Sequence, residues 1–474
     1  MKRKVNLWFN IDWLTILLYV LLIIMGWINI YAAVYNEEHH SIFDVTQRYG
    51  KQLIWIGAAV VLIFIILLID SEFYVFFAYI IYGFFLILLI SVLVFGKEVN
   101  GARSWFEIGS IRIQPAEFAK FATNLVVAKY ISSFNIKIQK FQTLFIVGIF
   151  LFIPAILILM QNDTGSALVY VAFIFVLYRE GLSGGFLILG LLMIILFIVT
   201  LIVSKLSILI TLMIICLVIF FFMRQKINEL LISTGIYLGV SGLIFAIITI
   251  LRYNVDIYYV LSGGLIASSI YYAIYCFRKR MSNVLIMIML MIASVSFTFV
   301  IDYVYDNVLE VHQRDRINEL LGLQSDPLGA GYNVNQSKIA IGSGGFFGKG
   351  FLQGTQTKYD FVPEQSTDFI FCTIGEEWGF LGSLVVILLH TFLLLRLIML
   401  AERQKSPFTR IYGYGVASIL FFHVAINIGM TIGLAPVIGI PLPFFSYGGS
   451  SLWSFTILLF VFLKLDVSRL EKLV

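Results

Sequence analysis

The chain is poor in charged residues and in cysteine. Charged residues make up 12% of its 474 residues, about half the share of a soluble domain, which is roughly 25%. This composition excludes a water-soluble globular protein. The three cysteines, Cys216, Cys276 and Cys372, all lie in apolar runs. Their number and spacing fit neither a disulfide framework nor a zinc motif.

Hydrophobic residues dominate instead, at 60% of the chain with 44 Phe and 24 Tyr. Apolar stretches of about twenty residues predict membrane-spanning helices. The first stretch is too long for a signal-peptide core, so we expect it to remain as an anchor. The predicted fold is an all-α polytopic membrane protein, a helical bundle of about fourteen transmembrane segments. These segments are 12–34, 51–70, 73–96, 115–131, 142–160, 165–180, 183–204, 206–223, 229–251, 256–277, 282–305, 368–398, 411–433 and 447–468.

Lysine and arginine are concentrated in alternate loops of this arrangement, which predicts its orientation. With the N-terminus inside, both termini are cytoplasmic and the long segment 306–367 faces outward. This placement accounts for the net charge of +5, so no nucleic-acid partner is expected. Most prolines lie in or beside the outer segments, where irregular backbone predicts a built cavity. The inner basic residues are Lys137, Lys140, Arg224, Lys226, Arg278, Lys279, Arg280, Arg403, Lys405, Arg410, Lys464, Arg469 and Lys472.

The longest polar run extends from His312 to about Gly379. Connections of this length are normally functional or disordered. Large apolar residues such as Tyr332 and Phe361 recur through it, so it can bury enough surface to become ordered. We interpret it as an extramembrane lid whose end brings Asp368 to the membrane surface.

Polar residues in the first half of the chain form a first group of candidates. Glu117 and Lys120 are three residues apart and share a helix face. They could be an interfacial ion pair or could line a polar path, since charge inside a span is costly. Arg103 and Trp105 lie just before them, and Trp105 could be an ordinary interfacial aromatic residue. Asp163 lies between two spans, where a helix cap is the structural alternative.

The second half of the chain contains a second group of candidate polar residues. Arg314 and Arg316 could contact anionic phosphates or could be juxtamembrane charge. Asp368 stands at the start of an apolar span, where it could cap the helix. An interfacial carboxylate that faces a cavity also suits a general base. His390 and His423 lie in spans, where a lone histidine is more often structural, and both stay unassigned.

Six motifs are similar to those of the SEDS family (shape, elongation, division and sporulation), closest to its elongation branch. They occur along most of the chain in family order. The matching stretches are NGARSWFEIGSIRIQPAEFAK at 100–120, QNDTGS at 161–166, SDPLGAGYNVNQSKIAIGSGGFFGKG at 325–350, GTQTKYDFVPEQSTDFIF at 354–371, GEEWGFLG at 375–382 and GLAPVIGIPLPFFSYGGSS at 433–451.

The resemblance implies a peptidoglycan glycosyltransferase that polymerises lipid II outside the membrane, with a class B penicillin-binding protein as its crosslinking partner. It implies Asp368 as the essential acid. It also implies Trp105, Glu117, Lys120 and Asp163 in the supporting cavity. With the candidates from the residues themselves, the predicted substrate-binding set is Arg103, Trp105, Glu117, Lys120, Asp163, Arg314, Arg316, Lys338, Glu364 and Ser446.

The chain departs from the family in length. The family has about ten spans, and about four more are predicted within 183–305. The expected domains are a transmembrane core at 1–182, the region of inserted helices at 183–305, an extracytoplasmic loop at 306–367 and a second core part at 368–474.

The predicted mechanism is a single inverting hexosyl transfer. Asp368 would take the proton of the acceptor sugar hydroxyl. Arginine or lysine, helped by a divalent cation (Mg²⁺ or Mn²⁺), would stabilise the leaving pyrophosphate. Two alternatives stay open: a lipid II flippase, since polar residues within spans also mark transporters, and a non-catalytic scaffold for the penicillin-binding protein.

Overall fold

A computed structural model describes residues 7–35, 42–99, 101–109, 111–253, 255–323, 329, 331–359 and 361–469. Its contacts divide the chain into two compact units. The first comprises Met1–Gly184 and Asp326–Val474, and the second comprises Gly185–Ser325. The predicted all-α membrane architecture is confirmed, because twelve described helices are long and apolar enough to cross a membrane.

The first unit holds most of the helices and one small sheet. Before the second unit come α1 (Leu7–Asn10), α2 (Trp13–Ala33), α3 (Arg48–Leu68), α4 (Ser71–Phe76), α5 (Ala78–Phe95), β1 (Lys97–Val99), β2 (Ala102–Ile108), β3 (Ile111–Ile113), α6 (Pro115–Ile131), α7 (Phe141–Leu159), α8 (Thr164–Leu168), a 3₁₀ turn (Val169–Ala172) and α9 (Phe173–Arg179). After it come α16 (Tyr332–Ser343), α17 (Thr355–Lys358), α18 (Ile370–Glu377), α19 (Gly379–Glu402), α20 (Pro407–Thr431) and α21 (Gly449–Ser468).

All the described secondary-structure elements of the second unit are helices. It contains α10 (Gly184–Ile202), α11 (Lys205–Arg224), α12 (Ile227–Ile250), α13 (Ile257–Arg278), α14 (Ser282–Asn307) and α15 (Val311–Leu321). Its core includes Leu209, Tyr237, Tyr258, Leu265 and Val295. Lys205 pairs with Asp302 at 3.0 Å.

Two of the fourteen predicted spans are shorter than the twelve long helices. Helix α6 has 17 residues, and the apolar helical stretch Thr164–Arg179 is divided by a 3₁₀ turn. Fourteen crossings are compatible with this arrangement, because all fourteen predicted stretches are helical. The predicted loop 306–367 is partly helical as well, since α15, α16 and α17 lie within it.

The core of the first unit surrounds α6, α20 and α21. Helix α21 is buried over most of its length, and α6 packs on α5, α20 and α21. Small and apolar residues such as Ala116, Ala122 and Val126 let α6 lie close to its neighbours. This tight packing positions the first turns of α6 and α21 beside the segment that joins α20 to α21.

Candidate active site

The connection between α20 and α21 forms a platform of non-helical backbone, which we define as residues 436–448. Its prolines, among them Pro441 and Pro443, remove amide donors and prevent a regular helix. Buried backbone carbonyls need partners, and side chains of α19 and α20 supply them. Asn427 Nδ2 donates to Ile440 O at 2.6 Å. His423 Nδ1 lies 3.3 Å from Pro441 O, and His390 Nε2 lies 3.2 Å from Pro443 O.

Asp368 is half-buried and rests against this platform. Asn427 Nδ2 also donates to the Asp368 carbonyl at 2.8 Å. Ser446 Oγ donates to the preceding carbonyl, that of Thr367, at 2.6 Å. A Cβ placed on Gly439, which has a φ of +68°, would lie 3.4 Å from Asp368 Oδ2. The carboxylate therefore lies beside a glycine, and its backbone is fixed by two hydrogen bonds.

Helix α18 begins two residues after Asp368. The helix starts at Ile370 and Phe369 occupies the N-cap position, so Asp368 stands one residue before the cap. A position at the edge of the platform, partly open to solvent, is compatible with the predicted role as a base.

Arg48 is a cation near Asp368 that sequence reasoning missed. It begins α3, and its Nη1 donates to Ser366 Oγ at 2.7 Å. The same nitrogen lies 3.6 Å from a carboxylate oxygen of Glu364, and the guanidinium lies 5.9 Å from the centre of the Tyr447 ring. One signal was available in the sequence: Arg48 precedes a predicted span on the outer side, where basic residues are depleted.

The small sheet of β1 to β3, with the residues that lead into α6, packs near the other edge of the platform. Gln114 Nε2 donates to Asp163 Oδ2 at 2.6 Å, while Asp163 Oδ1 accepts from Ser166 N at 3.0 Å. Asp163 thus caps α8, which was the structural alternative. A Cβ on Gly165 would collide with Ile438 O, so α8 and the platform are in contact at that glycine.

Strand β2 carries two more predicted residues. Arg103 is exposed and Trp105 is half-buried; in the hairpin they pair with Glu98 and Lys97. Ser450, at the start of α21, accepts from Gln114 N at 3.2 Å and donates to the Arg112 carbonyl in β3 at 2.9 Å. These bonds fix the sheet and the start of α6 to the start of α21.

Glu117 and Lys120 form an ion pair with no access to solvent. Lys120 Nζ donates to Glu117 Oε1 at 2.8 Å and lies 3.0 Å from His423 Nε2; its exposed fraction is 0%. Because an ammonium group only donates, His423 Nε2 must accept and its Nδ1 carries the proton. That proton points to Pro441 O, so the buried pair is linked to the platform through His423.

The remaining predicted residues lie elsewhere. Lys338 is exposed on α16, against Gly433. Arg314 and Arg316 lie on α15 in the second unit. Their place in a common substrate site with Asp368 stays a prediction.

Glu376 anchors the chain that leads to Asp368. Its Oε1 accepts from Lys349 Nζ and from the amides of Thr355 and Gln356 at 2.7, 2.7 and 2.9 Å, and its Oε2 accepts from the Thr357 amide at 3.0 Å. The carboxylate thus accepts hydrogen bonds from the backbone amides in the first turn of α17, which have no partner within the helix. Burial raises its pKa, but the Lys349 ammonium and these amides outweigh burial and hold the pKa below its ordinary value.

Glu377 differs from its neighbour. It is buried, and one of its carboxylate oxygens, Oε2, has no hydrogen-bond partner among the described residues. Burial, with the charge of Glu376 adding to it, raises the pKa of Glu377 to about 7. Two adjacent carboxyls at the end of α18 therefore have opposite pKa shifts.

An apolar groove runs along the outside of the first unit. It has a volume of about 440 Å³ and is lined by α3, α4, α5, α6 and α21. Its walls are large hydrocarbon side chains such as Ile66, Phe73, Phe84, Phe121 and Val461. A surface of this kind inside a bilayer suits a hydrocarbon chain.

No group of three His, Cys, Asp or Glu side chains among the described residues could hold a metal ion. A cage built from protein ligands alone is therefore not found in this part of the chain. Mg²⁺ usually takes only one or two carboxylates, with substrate phosphates as further ligands.

The family model and the curated relatives that match this chain point to the same protein family. A family model described as "Cell cycle protein" (FtsW, RodA and SpoVE) matches residues 12–210 and 262–471. The chain is 32% identical over 447 residues to "Peptidoglycan glycosyltransferase RodA" of Treponema pallidum, covering 94% of this chain and 95% of that protein. It is 32% identical over 368 residues to "Peptidoglycan glycosyltransferase MrdB" of Escherichia coli K12, covering 77% and 71%.

Solved structures that match this chain come from proteins of the same kind. A chain from "Structural coordination of polymerization and crosslinking by a peptidoglycan synthase complex" matches with a TM-score of 0.63 and 26% identity, over 97% of this chain and 98% of that one. The rod shape determining protein RodA of Thermus thermophilus matches with a TM-score of 0.56 and 23% identity, over 98% of both chains, which supports the shared fold.

Proposed function

This chain belongs to the cell cycle protein family of FtsW, RodA and SpoVE, and we propose that it is a peptidoglycan glycosyltransferase that polymerises lipid II. The observation that carries the proposal is the Asp368 carboxylate, half-buried at the edge of the platform, with its backbone held by Asn427 and Ser446. Curated relatives that span most of the chain are named for the same activity.

The chemistry assigns a clear task to Asp368. Lipid II is a disaccharide-pentapeptide on a polyprenyl pyrophosphate. The 4-hydroxyl oxygen of the acceptor sugar attacks the anomeric carbon of the donor, and the bond to the pyrophosphate breaks. Asp368 takes the hydroxyl proton, and the pyrophosphate leaves with the bonding electrons. An α-linked donor gives a β-linked product in one displacement, so no covalent enzyme intermediate forms.

The leaving pyrophosphate requires positive charge. Arg48 and Arg103 are exposed guanidinium groups of the first unit, and Arg48 is joined to the Asp368 loop through Ser366. Lys120 is enclosed by Glu117 and His423. We therefore assign Lys120 to positioning, through His423 and the carbonyl of Pro441.

The apolar groove lies at the end of α3 opposite Arg48, about 20 Å along the helix. The far part of the long lipid tail fits this groove while the head group stays at the platform. Membrane-embedded walls let the polyprenyl chain stay in hydrocarbon while its head group reaches the platform. The need to keep the lipid tail in the bilayer explains why the proposed enzyme is embedded in the membrane.

A divalent cation, if used, would depend on the substrate. Its phosphates, with one or two carboxylates of the chain, would complete the ligand set. A cation would supply charge stabilisation at the pyrophosphate.

We place the platform at the outer face of the cytoplasmic membrane and both termini in the cytoplasm, from the distribution of lysine and arginine. The partner we propose is a class B penicillin-binding protein that crosslinks the new glycan. A structural relative of this chain comes from a peptidoglycan synthase complex whose description pairs polymerization with crosslinking.

The test uses purified full-length protein and lipid II in detergent, where no bilayer exists to be crossed. We expect glycan polymers from this mixture. Folded protein that makes none, yet moves lipid II across vesicle membranes, would contradict the polymerase and support a flippase. Folded protein that does neither, with or without the penicillin-binding protein, would support a scaffold.

A further inference from the structure

The second unit contains a cavity that the polymerase function does not use. It has a volume of about 150 Å³ and lies among α11, α12, α13 and α14. The family model skips residues 211–261, which include most of α11, all of α12 and the start of α13. The lining residues are Met213, Cys216, Leu217, Phe220, Ser233, Thr234, Tyr237, Leu238, Leu265, Ser268, Ser269, Tyr272, Val284, Met287, Ile288 and Met291.

The cavity wall is apolar even though several hydroxyls lie in it. Ser233 and Thr234 both donate to the carbonyl of Leu230, and Ser268 donates to the carbonyl of Leu265. Each bond turns the hydroxyl back to its own helix and leaves hydrocarbon and sulfur facing the space. An apolar cavity of this size stays dry and takes up hydrophobic molecules. The occupant it favours is part of a hydrocarbon chain.

One hydroxyl in the wall is different. The buried oxygen of Tyr272 has no hydrogen-bond partner among the described residues. A buried hydroxyl without a partner is unfavourable, because it has lost its hydrogen bonds to water. A ligand with a hydrogen-bond acceptor next to its hydrocarbon chain, as in a lipid ester, would satisfy it.

The cavity lies near one end of the bundle, and that end is basic. The lining residues come from the last part of α11 and α13 and the first part of α12 and α14. The connections at this end carry five cations that we call the basic end, four of them exposed and Arg224 half-buried: Arg224, Lys226, Arg278, Lys279 and Arg280.

The charge at the basic end is mostly uncompensated. Glu229 pairs with Arg224 at 2.8 Å and with Lys226 at 3.6 Å. It is the only carboxylate within 221–235 and 275–290. Tyr272 is six residues from Arg278, about 9 Å along a helix, which suits the distance from an acyl ester to a phosphate.

We propose that the second unit binds an anionic phospholipid, with its phosphate on the basic end and part of one acyl chain in the cavity. Basic residues at helix ends beside a pocket between spans are a recognised form of lipid head-group site. The site holds a structural or regulatory lipid and is independent of the proposed polymerase activity.

The experiment measures stabilisation of the purified full-length protein by single lipids. Thermal unfolding is followed in detergent with dioleoyl phosphatidylglycerol, dioleoyl phosphatidylcholine or glycerol 3-phosphate. We expect a concentration-dependent rise in Tm with phosphatidylglycerol alone. An equal rise with phosphatidylcholine would show that charge plays no part, and an equal rise with glycerol 3-phosphate would show that the acyl chain plays none. Either result overturns the proposal.

Two variants locate the site. R278Q/K279Q/R280Q removes three charges near the head group and should weaken phosphatidylglycerol binding on the order of a hundredfold. Ser233→Leu fills the cavity and should weaken binding without changing charge. The control K137Q/K140Q/K405Q removes three exposed charges of the first unit and should bind as the unchanged chain does. Unaltered binding by both site variants, in folded protein, would show that the basic end only orients the helices in the membrane.

Discussion

At the scale of the residue, the main finding is that the buried polar side chains of the spans act on the platform. Asn427, His423 and His390 each contact a platform carbonyl. Polar groups inside a bilayer are costly unless they are paired. These three contacts hold non-helical backbone in a fixed shape, and Asp368 shares one of the donors.

The buried pair of Glu117 and Lys120 gives a stability prediction. Lys120→Met leaves a buried carboxylate without its counter-ion, and we expect a loss of about 3–5 kcal/mol in the free energy of unfolding. The double variant Glu117→Gln with Lys120→Met removes both charges and should recover much of the loss. Unfolding in detergent, followed by circular dichroism, measures both.

The matched control for that pair is Lys97→Met, which removes a lysine from the exposed ion pair with Glu107 and should change stability little. If Lys120→Met is no more destabilising than this control, the buried pair does not support the platform.

Sequence reasoning found some of these residues and missed others, for a physical reason. Glu117 and Lys120 were recognisable because charge inside a span is rare. His423 was left unassigned because its partners are distant in the chain: Lys120 is 303 residues away and Pro441 is 18. Periodicity and hydropathy carry no information about such contacts.

At the scale of the element, the loop before Asp368 is held by Glu376, and the adjacent carboxyl of Glu377 lies beside the backbone of Leu352 and Gly354 in the same loop. Glu376 binds the start of α17. Glu377 is buried with an oxygen that lacks a partner. Both lie inside the predicted span 368–398, about two turns from its start. In the structure they instead end the short helix α18, just before α19 begins at Gly379.

The pKa of Glu377 predicts a pH-dependent loop. Its folded pKa, about 7, lies above the ordinary value of 4.5 because of burial. The folded state therefore binds the proton more tightly, and stability falls as pH rises from about 4.5 through 7. We expect hydrogen exchange of residues 349–358, corrected for its intrinsic pH dependence, to become faster from pH 5 to pH 8.

Two substitutions test whether Glu377 is the group that causes the pH dependence of exchange in residues 349–358. Glu377→Gln should abolish the dependence on pH, whereas Glu98→Gln, at an exposed position on β1, should retain it. An unchanged pH profile in Glu377→Gln would show that another group titrates.

Hydropathy predicted the elements well because the bilayer imposes one length on every span. All fourteen predicted stretches are helical. What it did not predict is the interruption of Thr164–Arg179 by a 3₁₀ turn, or the helices α15 to α17 in the polar run. Short helices in polar segments depend on partners such as Glu376, which lie far along the chain.

At the scale of the whole molecule, the orientation in the membrane is open to direct test. In a chain whose native cysteines are replaced by alanine, Tyr359→Cys places an exposed thiol in the polar run and Lys405→Cys places one between α19 and α20. We expect a membrane-impermeant maleimide to label Tyr359→Cys in intact cells and Lys405→Cys only after permeabilisation. The reverse pattern would place the platform on the cytoplasmic side.

The account as a whole depends on proton removal by one carboxylate of a folded, membrane-embedded protein. The most direct measurement is the initial rate of glycan formation from lipid II by purified Asp368→Asn, beside the unchanged chain and Asp306→Asn. Asp306 is an exposed acid of the second unit. We predict a rate about 10²–10⁴-fold lower for Asp368→Asn and an unchanged rate for Asp306→Asn. Full polymerisation by folded Asp368→Asn would contradict the account.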